Sequence, residues 1–326
     1  MRHKPQKHRL IPFVFALFFL IIALVVPTNF SVLMPGKISK VESNIQIEDV
    51  DNLDNFYTTS VYYLTRVNAV TRMILELDHR NNVSPMSSYE SSLSNTDDFL
   101  MGQVSKKYSY HSSLINAYRE ASKMNSDIKL EYKIDSLLLY YRPSKMSSLK
   151  IGDVVTKLND QIITTENFQE VINNSRTPSV KMTILRDNQE IDFSYTYEKG
   201  DYYLSFYPNI EIISSTPSFS LPGLNSTTGG PSGGLMQTIN IYVSLLKLNF
   251  GDLKIAGTGT INLEGSVGKI GGAVQKIHTV NKAGVDIFII AFDNHYEVVN
   301  IDKNFEYFPV KTFQEAVVIL NEYIVH

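Results

Sequence analysis

A serine and a lysine in this chain stand in surroundings that predict an acyl-transfer centre. Ser232 lies in the glycine-rich stretch GGPSGGLM (229–236), just before an apolar run, Leu235–Leu248, that is predicted to be a helix. Lys276 lies in the first turn of a second predicted helix, after a Gly-Gly bend. Serine needs an adjacent base to become a good nucleophile, and a lysine can be that base only when it is neutral. Burial and the positive end of a helix dipole both lower a lysine pKa, so the pattern predicts a two-residue centre.

Each of these residues also has a simpler interpretation. A serine between glycines is most often a turn or helix-cap residue, and a lysine on a helix is nearly always solvated. Lys269 and Lys282 serve as internal comparisons, because Lys269 precedes the Gly-Gly bend and Lys282 falls on another face of the predicted helix. The combination of the serine turn and Lys276 with a predicted strand that carries Thr258 favours the chemical interpretation.

The composition excludes several classes of site. The chain has 326 residues, enough for two domains and an anchor, and its net charge of −3 gives no basic surface for nucleic acid. The absence of cysteine excludes thiolate metal sites, a cysteine nucleophile and disulfides. The seven histidines form no His-Glu-x-x-His element, so we predict neither a metal ion nor another cofactor.

The N-terminal segment is typical of a membrane anchor. A basic stretch, MRHKPQKHR, precedes Leu10–Gly36, which carries no charged residue, and Lys37 follows only after this run. A run of about 20 apolar residues suits a bilayer, and the basic flank predicts a cytoplasmic N-terminus. The alternative is a cleaved signal peptide, but no Ala-x-Ala-like site follows Val26. We therefore expect a single-pass anchor, with the rest of the chain outside the cell.

The remaining sequence predicts the elements that must position the two residues. Alternating segments within 37–67 predict strands, the Ser- and Asn-rich segment 81–98 predicts a loop, and apolar positions at helical spacing predict a helix over 99–124. Beyond Ser232, a glycine-broken strand (254–260), a helix (273–282) and an apolar strand (285–291) follow one another. Such alternation is typical of an α/β domain.

Residues 134–197 resemble a PDZ domain. The resemblance rests on LKIGDVV (149–155), LNDQI (158–162) and TENF (165–168), followed by a predicted closing hairpin over 180–197. A PDZ domain binds a peptide by adding it as a strand at a sheet edge. The loop that would bind a C-terminal carboxylate falls near 132–136 and contains no glycine, which favours internal peptide binding or a structural role.

Four motifs together resemble the proteolytic domain of Lon-type serine peptidases. They are GPSGG (230–234), IAGTGTI (255–261), VGKIGG (267–272) and Lys276, and the likeness runs from about residue 208 to the end. The resemblance implies that Ser232 is the nucleophile and Lys276 its base. Thr258 is similar to a family threonine that can hydrogen-bond the lysine, although a threonine in mid-strand is also favoured by β-propensity alone. Gly233 departs from the family, which usually has alanine there.

The whole layout is similar to that of the membrane-anchored PDZ–Lon proteins of Gram-positive bacteria, the SepM/YlbL type. This resemblance implies an α/β (α+β) Lon-type proteolytic domain with an inserted, mainly β PDZ domain and an N-terminal transmembrane helix. The expected divisions are a cytoplasmic tail and anchor (1–36), the first part of the protease domain (37–130), the PDZ domain (131–198) and the part with the dyad (199–326).

These inferences predict a membrane-anchored, extracytoplasmic serine endopeptidase that cleaves peptides or flexible protein segments. We expect the amides of Ser232 and Gly230, at a helix N-terminus, to form the oxyanion hole. The residues contain no Gly-x-x-x-x-Gly-Lys-Ser/Thr element, so we expect no nucleotide partner and activity without ATP. The alternative is a catalytically inactive peptide-binding protein of the same fold at the cell surface. A homo-oligomer is compatible with the sequence.

The predicted topology can be tested on intact cells. External protease should degrade the part of the chain that follows the uncharged run, because that part is expected outside the membrane. Immunoblotting of a C-terminal tag before and after protease treatment measures this. A protected C-terminus, or a mature chain that starts just after Val26, would contradict the anchor.

Overall fold

The computed structural model describes residues 7–41, 45–48, 50, 54–222 and 230–325, with side chains from residue 11 onward. Its α-helices are α1 (Lys7–Val25), α2 (Ala69–Glu76), α3 (Ser88–Ser92), α4 (Asn95–Ala121), α5 (Phe168–Asn173), α6 (Gly234–Leu245), α7 (Ala273–Asn281), α8 (His295–Val298) and α9 (Phe313–Asn321). Its strands are β1 (Phe30–Lys40), β2 (Gln46–Ile47), β3 (Phe56–Leu64), β4 (Asn82–Pro85), β5 (Lys129–Tyr141), β6 (Val154–Leu158), β7 (Gln161–Ile162), β8 (Ser179–Arg186), β9 (Gln189–Thr196), β10 (Ser205–Thr216), β11 (Phe219–Ser220), β12 (Ile255–Thr258), β13 (Thr260–Ile261), β14 (Val267–Gly268), β15 (Ile287–Ala291) and β16 (Glu306–Val310).

A six-stranded mixed sheet carries the elements next to Ser232 and Lys276. Its order is β16-β15-β12-β3-β1-β4. The central strand β12 runs parallel to β15 and β3, whereas β1 is antiparallel to β3 and β4. Early strands of the chain therefore complete a sheet whose other strands come from its last third. This arrangement confirms the mixed α/β part of the predicted fold class.

Helices cover both faces of this sheet. Side chains on a strand alternate between the faces. Ile255 therefore belongs to the core formed with α4, α6 and α9, whereas Ala256 belongs to the core formed with α7. By the same alternation Gly257 faces α6 and Thr258 faces α7. The strand thus directs Thr258 toward the helix that carries Lys276.

A second, antiparallel sheet lies between these two sets of strands in the sequence. Its order is β10-β5-β6-β8-β9, with β7 paired to β6, and it has its own apolar core with α5. The sheet extends past residue 198, because β10 pairs along β5 from Lys129 to Tyr141. Helix α4 packs on both β5 and β10, and it also packs on α6. It therefore connects the second sheet to the helix that follows Ser232.

The segment 81–98 is not the loop that its composition predicts. It contains β4, α3 and the start of α4. Its polar residues serve as helix caps: Ser87 and Glu90 form a capping box on α3, and the Asp97 N–H donates to the Ser94 side chain at the start of α4. Polar composition is common to loops and to caps, which is why the prediction was wrong.

The N-terminal segment also differs in detail from its prediction. The uncharged run extends to residue 36, but α1 ends at Val25 and β1 begins at Phe30. Val32 is fully buried in the main sheet, so the end of the run packs inside the fold. Across the described residues, no helix has both the length and the apolar character needed to cross a membrane.

Substitution of two glycines tests the packing around β12. A Cβ on Gly257 would lie 2.5 Å from both the Ile289 carbonyl oxygen and the Met236 sulfur, whereas a Cβ on Gly102 in α4 meets nothing within 4 Å. We expect Gly257→Ala to lower the free energy of unfolding by about 1–3 kcal/mol through overpacking. Gly102→Ala should raise it by about 0.5–1 kcal/mol, because alanine loses less backbone entropy in a helix.

Urea denaturation of both variants beside the parent measures the two changes. Equal effects of the two substitutions would show that β12 is not packed against α6 as described.

Candidate active site

Ser232 lies on the turn that leads into α6, and the end of β12 holds this turn in place. The Ser232 carbonyl accepts hydrogen bonds from the Gly259 N–H at 2.9 Å and from the Thr258 hydroxyl at 3.0 Å. The Leu235 N–H donates in turn to the Gly259 carbonyl at 3.0 Å. The backbone around Ser232 is therefore fixed, while the residue itself is only half-buried.

Helix α4 also holds the serine turn, which the sequence analysis did not predict. The Ser109 hydroxyl donates to the Pro231 carbonyl at 3.4 Å, and the Ser113 hydroxyl donates to the Gly234 carbonyl at 3.0 Å. The two serines lie one turn apart on the face of α4 that meets α6. Two serines at helical spacing are too common in sequences to have indicated this role.

Lys276 reaches Ser232 from the opposite face of the sheet. Helix α7 begins after Gly272, which has a left-handed φ of 69° and no room for a side chain, because a Cβ there would lie 2.9 Å from Val61. The Lys276 N–H donates to the Gly272 carbonyl at 3.0 Å, which places the lysine in the first turn. Its side chain is only 1% exposed, and its Nζ lies 2.9 Å from the Ser232 Oγ.

Burial changes the protonation of this lysine. It lowers the pKa of Lys276 to about 7, because the ammonium form loses its hydration. Within the described residues no carboxylate pairs with the amine to offset this loss. A substantial fraction of Lys276 is therefore neutral near neutral pH and able to accept a proton.

Thr258 joins the two residues through its hydroxyl. The Lys276 Nζ donates to the Thr258 Oγ1 at 2.7 Å, and the same hydroxyl donates to the Ser232 carbonyl. Thr258 is fully buried at the end of β12. One hydroxyl thus orients the lysine amine and fixes the serine backbone at the same time.

The other residues singled out in the sequence fall as follows. Gly230 lies on the serine turn with a left-handed φ of 96°, and in the part of the chain that the structure describes the Ser232 N–H meets no acceptor. Lys269 is exposed and pairs with Glu297 at 2.6 Å, and Lys282 caps the far end of α7. The described residues contain no cluster of His, Asp or Glu side chains that could hold a metal ion.

A cleft of about 840 Å³ begins at the serine turn. Gly230, Pro231 and Gly271 are among the residues that line it. From there the cleft follows β3 and the first turns of α4, where its walls carry aromatic rings and charged side chains, Tyr63, Tyr89, Phe99, Tyr140, Arg66, Glu90, Asp98 and Lys106. A groove of this size beside the serine turn can hold several residues of a peptide.

A known protein family matches the part of the chain that contains these residues. Residues 139–322 match the model of the Lon protease (S16) C-terminal proteolytic domain. The matched span is more than half of the chain and includes Ser232, Thr258 and Lys276. The chain belongs to this family. Membership implies a serine peptidase, and it confirms the family that the sequence motifs predicted.

Individual Lon proteases match shorter stretches. Lon protease 2 of Bacillus subtilis (strain 168) is 34% identical over 97 residues, which is 30% of this chain and 17% of that protein. The Lon protease of Buchnera aphidicola subsp. Schizaphis graminum is 35% identical over 97 residues, 28% of this chain and 12% of that protein. The Lon protease of Methanosarcina barkeri is 26% identical over 115 residues, which is 33% of this chain and 14% of that protein. The chain thus spans less than a fifth of the length of these relatives.

The buried lysine should cost stability, and the cost should depend on pH. The folded-state pKa of Lys276 is about 7 and the ordinary lysine value is 10.5, so between these values the unfolded chain binds more protons. The loss of folding stability caused by burying Lys276 is therefore greatest below pH 7, and it disappears as the pH rises toward 10.5. We expect Lys276→Met to raise the free energy of unfolding by on the order of a few kcal/mol at pH 7.

Urea denaturation of the parent and of Lys276→Met between pH 6 and pH 10 measures the increase in the free energy of unfolding. This increase should shrink as the pH rises. Lys269→Met is the matched control, because Lys269 is exposed and ion-paired. A gain for Lys276→Met that does not change with pH would contradict the lowered pKa.

Proposed function

We propose that this chain is an endopeptidase in which Ser232 is the nucleophile and Lys276 its general base. One observation carries the proposal: the Nζ of a fully buried lysine lies 2.9 Å from the hydroxyl of a serine on an open turn. This is hydrogen-bond distance, and it is the geometry that proton transfer between the two groups requires. A structural role alone gives no reason to bury a lysine without a carboxylate partner.

The reaction follows from this geometry. As the Ser232 Oγ forms a bond to the scissile carbonyl carbon, its proton passes to the lone pair of the Lys276 Nζ and the carbonyl oxygen becomes an oxyanion. Collapse of this intermediate breaks the C–N bond, and the ammonium returns the proton to the leaving amine. A water molecule then gives a proton to Lys276 as its oxygen attacks the acyl carbon. The bond from this carbon to the Ser232 Oγ breaks, Lys276 returns the proton to the Oγ, and the second product leaves as an acid.

The oxyanion needs hydrogen-bond donors on the serine turn. We propose the backbone amides of Ser232 and Gly230, which lie where the turn enters α6. Amides at a helix N-terminus point toward incoming negative charge and gain from the helix dipole. The left-handed φ of Gly230 supports this assignment, because it redirects the backbone just before the nucleophile.

The substrate is proposed to be an extended peptide segment in the cleft. Strand β12 pairs with β3 at Phe56–Thr58 and ends at Thr258, next in register to Thr59, so on that side β3 continues from Ser60 to Leu64 beyond its neighbour in the described sheet. A strand edge without a neighbour is a site for adding a peptide strand. A peptide there would continue the line of β12 and pass the Ser232 turn. This favours unfolded or flexible substrates and activity without ATP.

We propose further that the second sheet is a PDZ domain that positions substrates or the fold without binding a terminal carboxylate. On the part of β5 that precedes its pairing with β6, the Ile134 N–H donates to the Thr165 hydroxyl at 2.9 Å, and that hydroxyl donates to the Ile134 carbonyl at 3.3 Å. The two backbone groups that an added strand would need at this residue are therefore occupied. This supports the expectation drawn from the missing glycine near 132–136.

The proposed location is the outer face of a cell membrane, with the N-terminus in the cytoplasm. The basic stretch before Leu10 and the uncharged run after it support an anchor. The apolar side chains from Ile11 to Val25 on α1 are mostly exposed, as Phe13 and Phe19 are by about two thirds. Continuous exposed apolar surface of this kind is typical of a segment that meets lipid or another apolar partner.

Peptide cleavage by dyad variants tests the proposed chemistry. Ser232→Ala should lower kcat/KM for an unstructured peptide by at least about a thousandfold, because the nucleophile is removed. Lys276→Arg should do the same, since a guanidinium stays charged and cannot accept the serine proton. Hydrolysis is followed by chromatography of the products, without ATP.

Lys269→Ala and Lys282→Ala are the matched controls and should stay within about twofold of the parent, because neither lysine contacts Ser232. Equal rates for Ser232→Ala and the parent would refute the dyad. No cleavage by the parent of any of a varied set of peptides would instead favour the peptide-binding alternative.

A further inference from the structure

Thr59 in β3 has a buried hydroxyl that the fold does not use. The residue is 4% exposed, and within the described part of the chain its Oγ1 has no hydrogen-bond partner. A buried hydroxyl without a partner is destabilising, and a valine of nearly the same shape would avoid this cost. The hydroxyl therefore calls for a role other than packing.

The strand register places Thr59 beside Thr258. β12 and β3 are parallel, and Gly257 lies opposite Thr58. The next residue on each strand is a threonine, so Thr258 and Thr59 are cross-strand neighbours. Neighbouring residues of paired strands point to the same face of a sheet.

Contacts on either side of Thr59 show which face this is. The Thr58 methyl lies 3.2 Å from the position of a Cβ on Gly233, so Thr58 points toward α6. Val61 lies beside Gly272 at the start of α7. Because side chains alternate along a strand, Thr59 points toward α7 together with Val61.

Lys276 and Thr59 lie on the same face of the main sheet. Helix α7 packs on β1 and β3, yet the Lys276 Nζ bonds to Thr258 on β12. On the α7 face of β3, Thr59 is the residue next to Thr258. The register therefore places the unused hydroxyl next to the threonine that Lys276 contacts, on the face of the sheet that α7 covers.

The hydrogen-bond capacity of the lysine changes during the proposed reaction. Neutral Lys276 has two N–H bonds and one lone pair, which its contacts with Thr258 and Ser232 can largely satisfy. After it accepts the serine proton it has three N–H bonds, and those two residues accept only two of them. The third needs an acceptor in a site that is closed to bulk water.

We propose that Thr59 is a positioning residue of the dyad, and that its hydroxyl accepts this third hydrogen bond from the Lys276 ammonium. The inference rests on the proposed function and adds a residue to it. The bond stabilises the intermediate in which the serine proton is on the lysine, and it fixes the amine for the return of that proton to the leaving group.

Other ionisable groups near α7 do not take the role of acceptor for the Lys276 ammonium. Burial alone accounts for the lowered pKa of Lys276. The ionisable side chains on the elements that pack against α7 make no contribution to this pKa. They are Lys37 and Lys40 on β1, Tyr57, Tyr62 and Tyr63 on β3, and His295, Tyr296 and Glu297 on α8.

Replacement of the hydroxyl in the full-length protein tests the inference. Thr59→Val should keep or raise the free energy of unfolding, because it removes an unpartnered buried hydroxyl. It should nevertheless lower kcat/KM for an unstructured peptide by about tenfold to a hundredfold, the loss typical of one hydrogen bond to a charged group. The midpoint of the pH dependence of kcat/KM should move about one unit lower, since the ammonium loses an acceptor. Thr59→Ser keeps the hydroxyl, so it should have the parent kcat/KM and the parent pH midpoint.

Ser244→Ala is the matched control, because Ser244 is another buried hydroxyl without a partner in the described residues and lies near the far end of α6. It should leave the rate and the pH midpoint unchanged. If Thr59→Val does not fold, Thr59→Ala gives the same comparison. A folded variant without the hydroxyl that keeps the parent rate and midpoint overturns the inference. If Ser232→Ala is inactive in the same assay, only the role of Thr59 fails, whereas an active Ser232→Ala means that the dyad itself is wrong.

Discussion

The burial of the Lys276 amine is the constraint on which the site depends. In water this group is a cation, and a cation cannot take a proton from serine. Enclosure between α7 and the main sheet lowers its pKa to about 7. The free energy that this enclosure costs is the reason to expect a functional role, because a fold that needed only packing at this position would use an apolar side chain.

Several distant parts of the chain provide this enclosure. The left-handed Gly272 sets the start of α7, and β12 ends in Thr258, which bonds to both members of the pair. Strand β3 comes from the first quarter of the chain and packs against α7. Helix α4 supports the serine turn and also packs on the second sheet. Helix α4 thus contacts both the second sheet and the turn that carries Ser232.

The sequence was informative where chemistry is local. A serine between glycines, a lysine after a Gly-Gly bend and a threonine on a glycine-broken strand were identifiable as candidates, and the structure brings Ser232, Thr258 and Lys276 within hydrogen-bond distance. Helix α4 was predicted, but its contact with the serine turn was not, because that contact depends on helix packing. Thr59 could not be identified either, since its position beside Thr258 depends on the register of two strands nearly 200 residues apart. In the segment 81–98, the serine-rich composition predicts a loop, but serines of this segment serve as helix caps.

The pH dependence of kcat/KM for an unstructured peptide tests the central claim most directly, because it reports the pKa of the base in the free enzyme. The account predicts a rate that rises with pH as Lys276 loses its proton, with a midpoint near 7. Lys276→Met should abolish this rise together with the activity. A midpoint near the ordinary lysine value of 10.5, or a rate that does not depend on pH between 5 and 9, would contradict a neutral buried lysine as the base of Ser232.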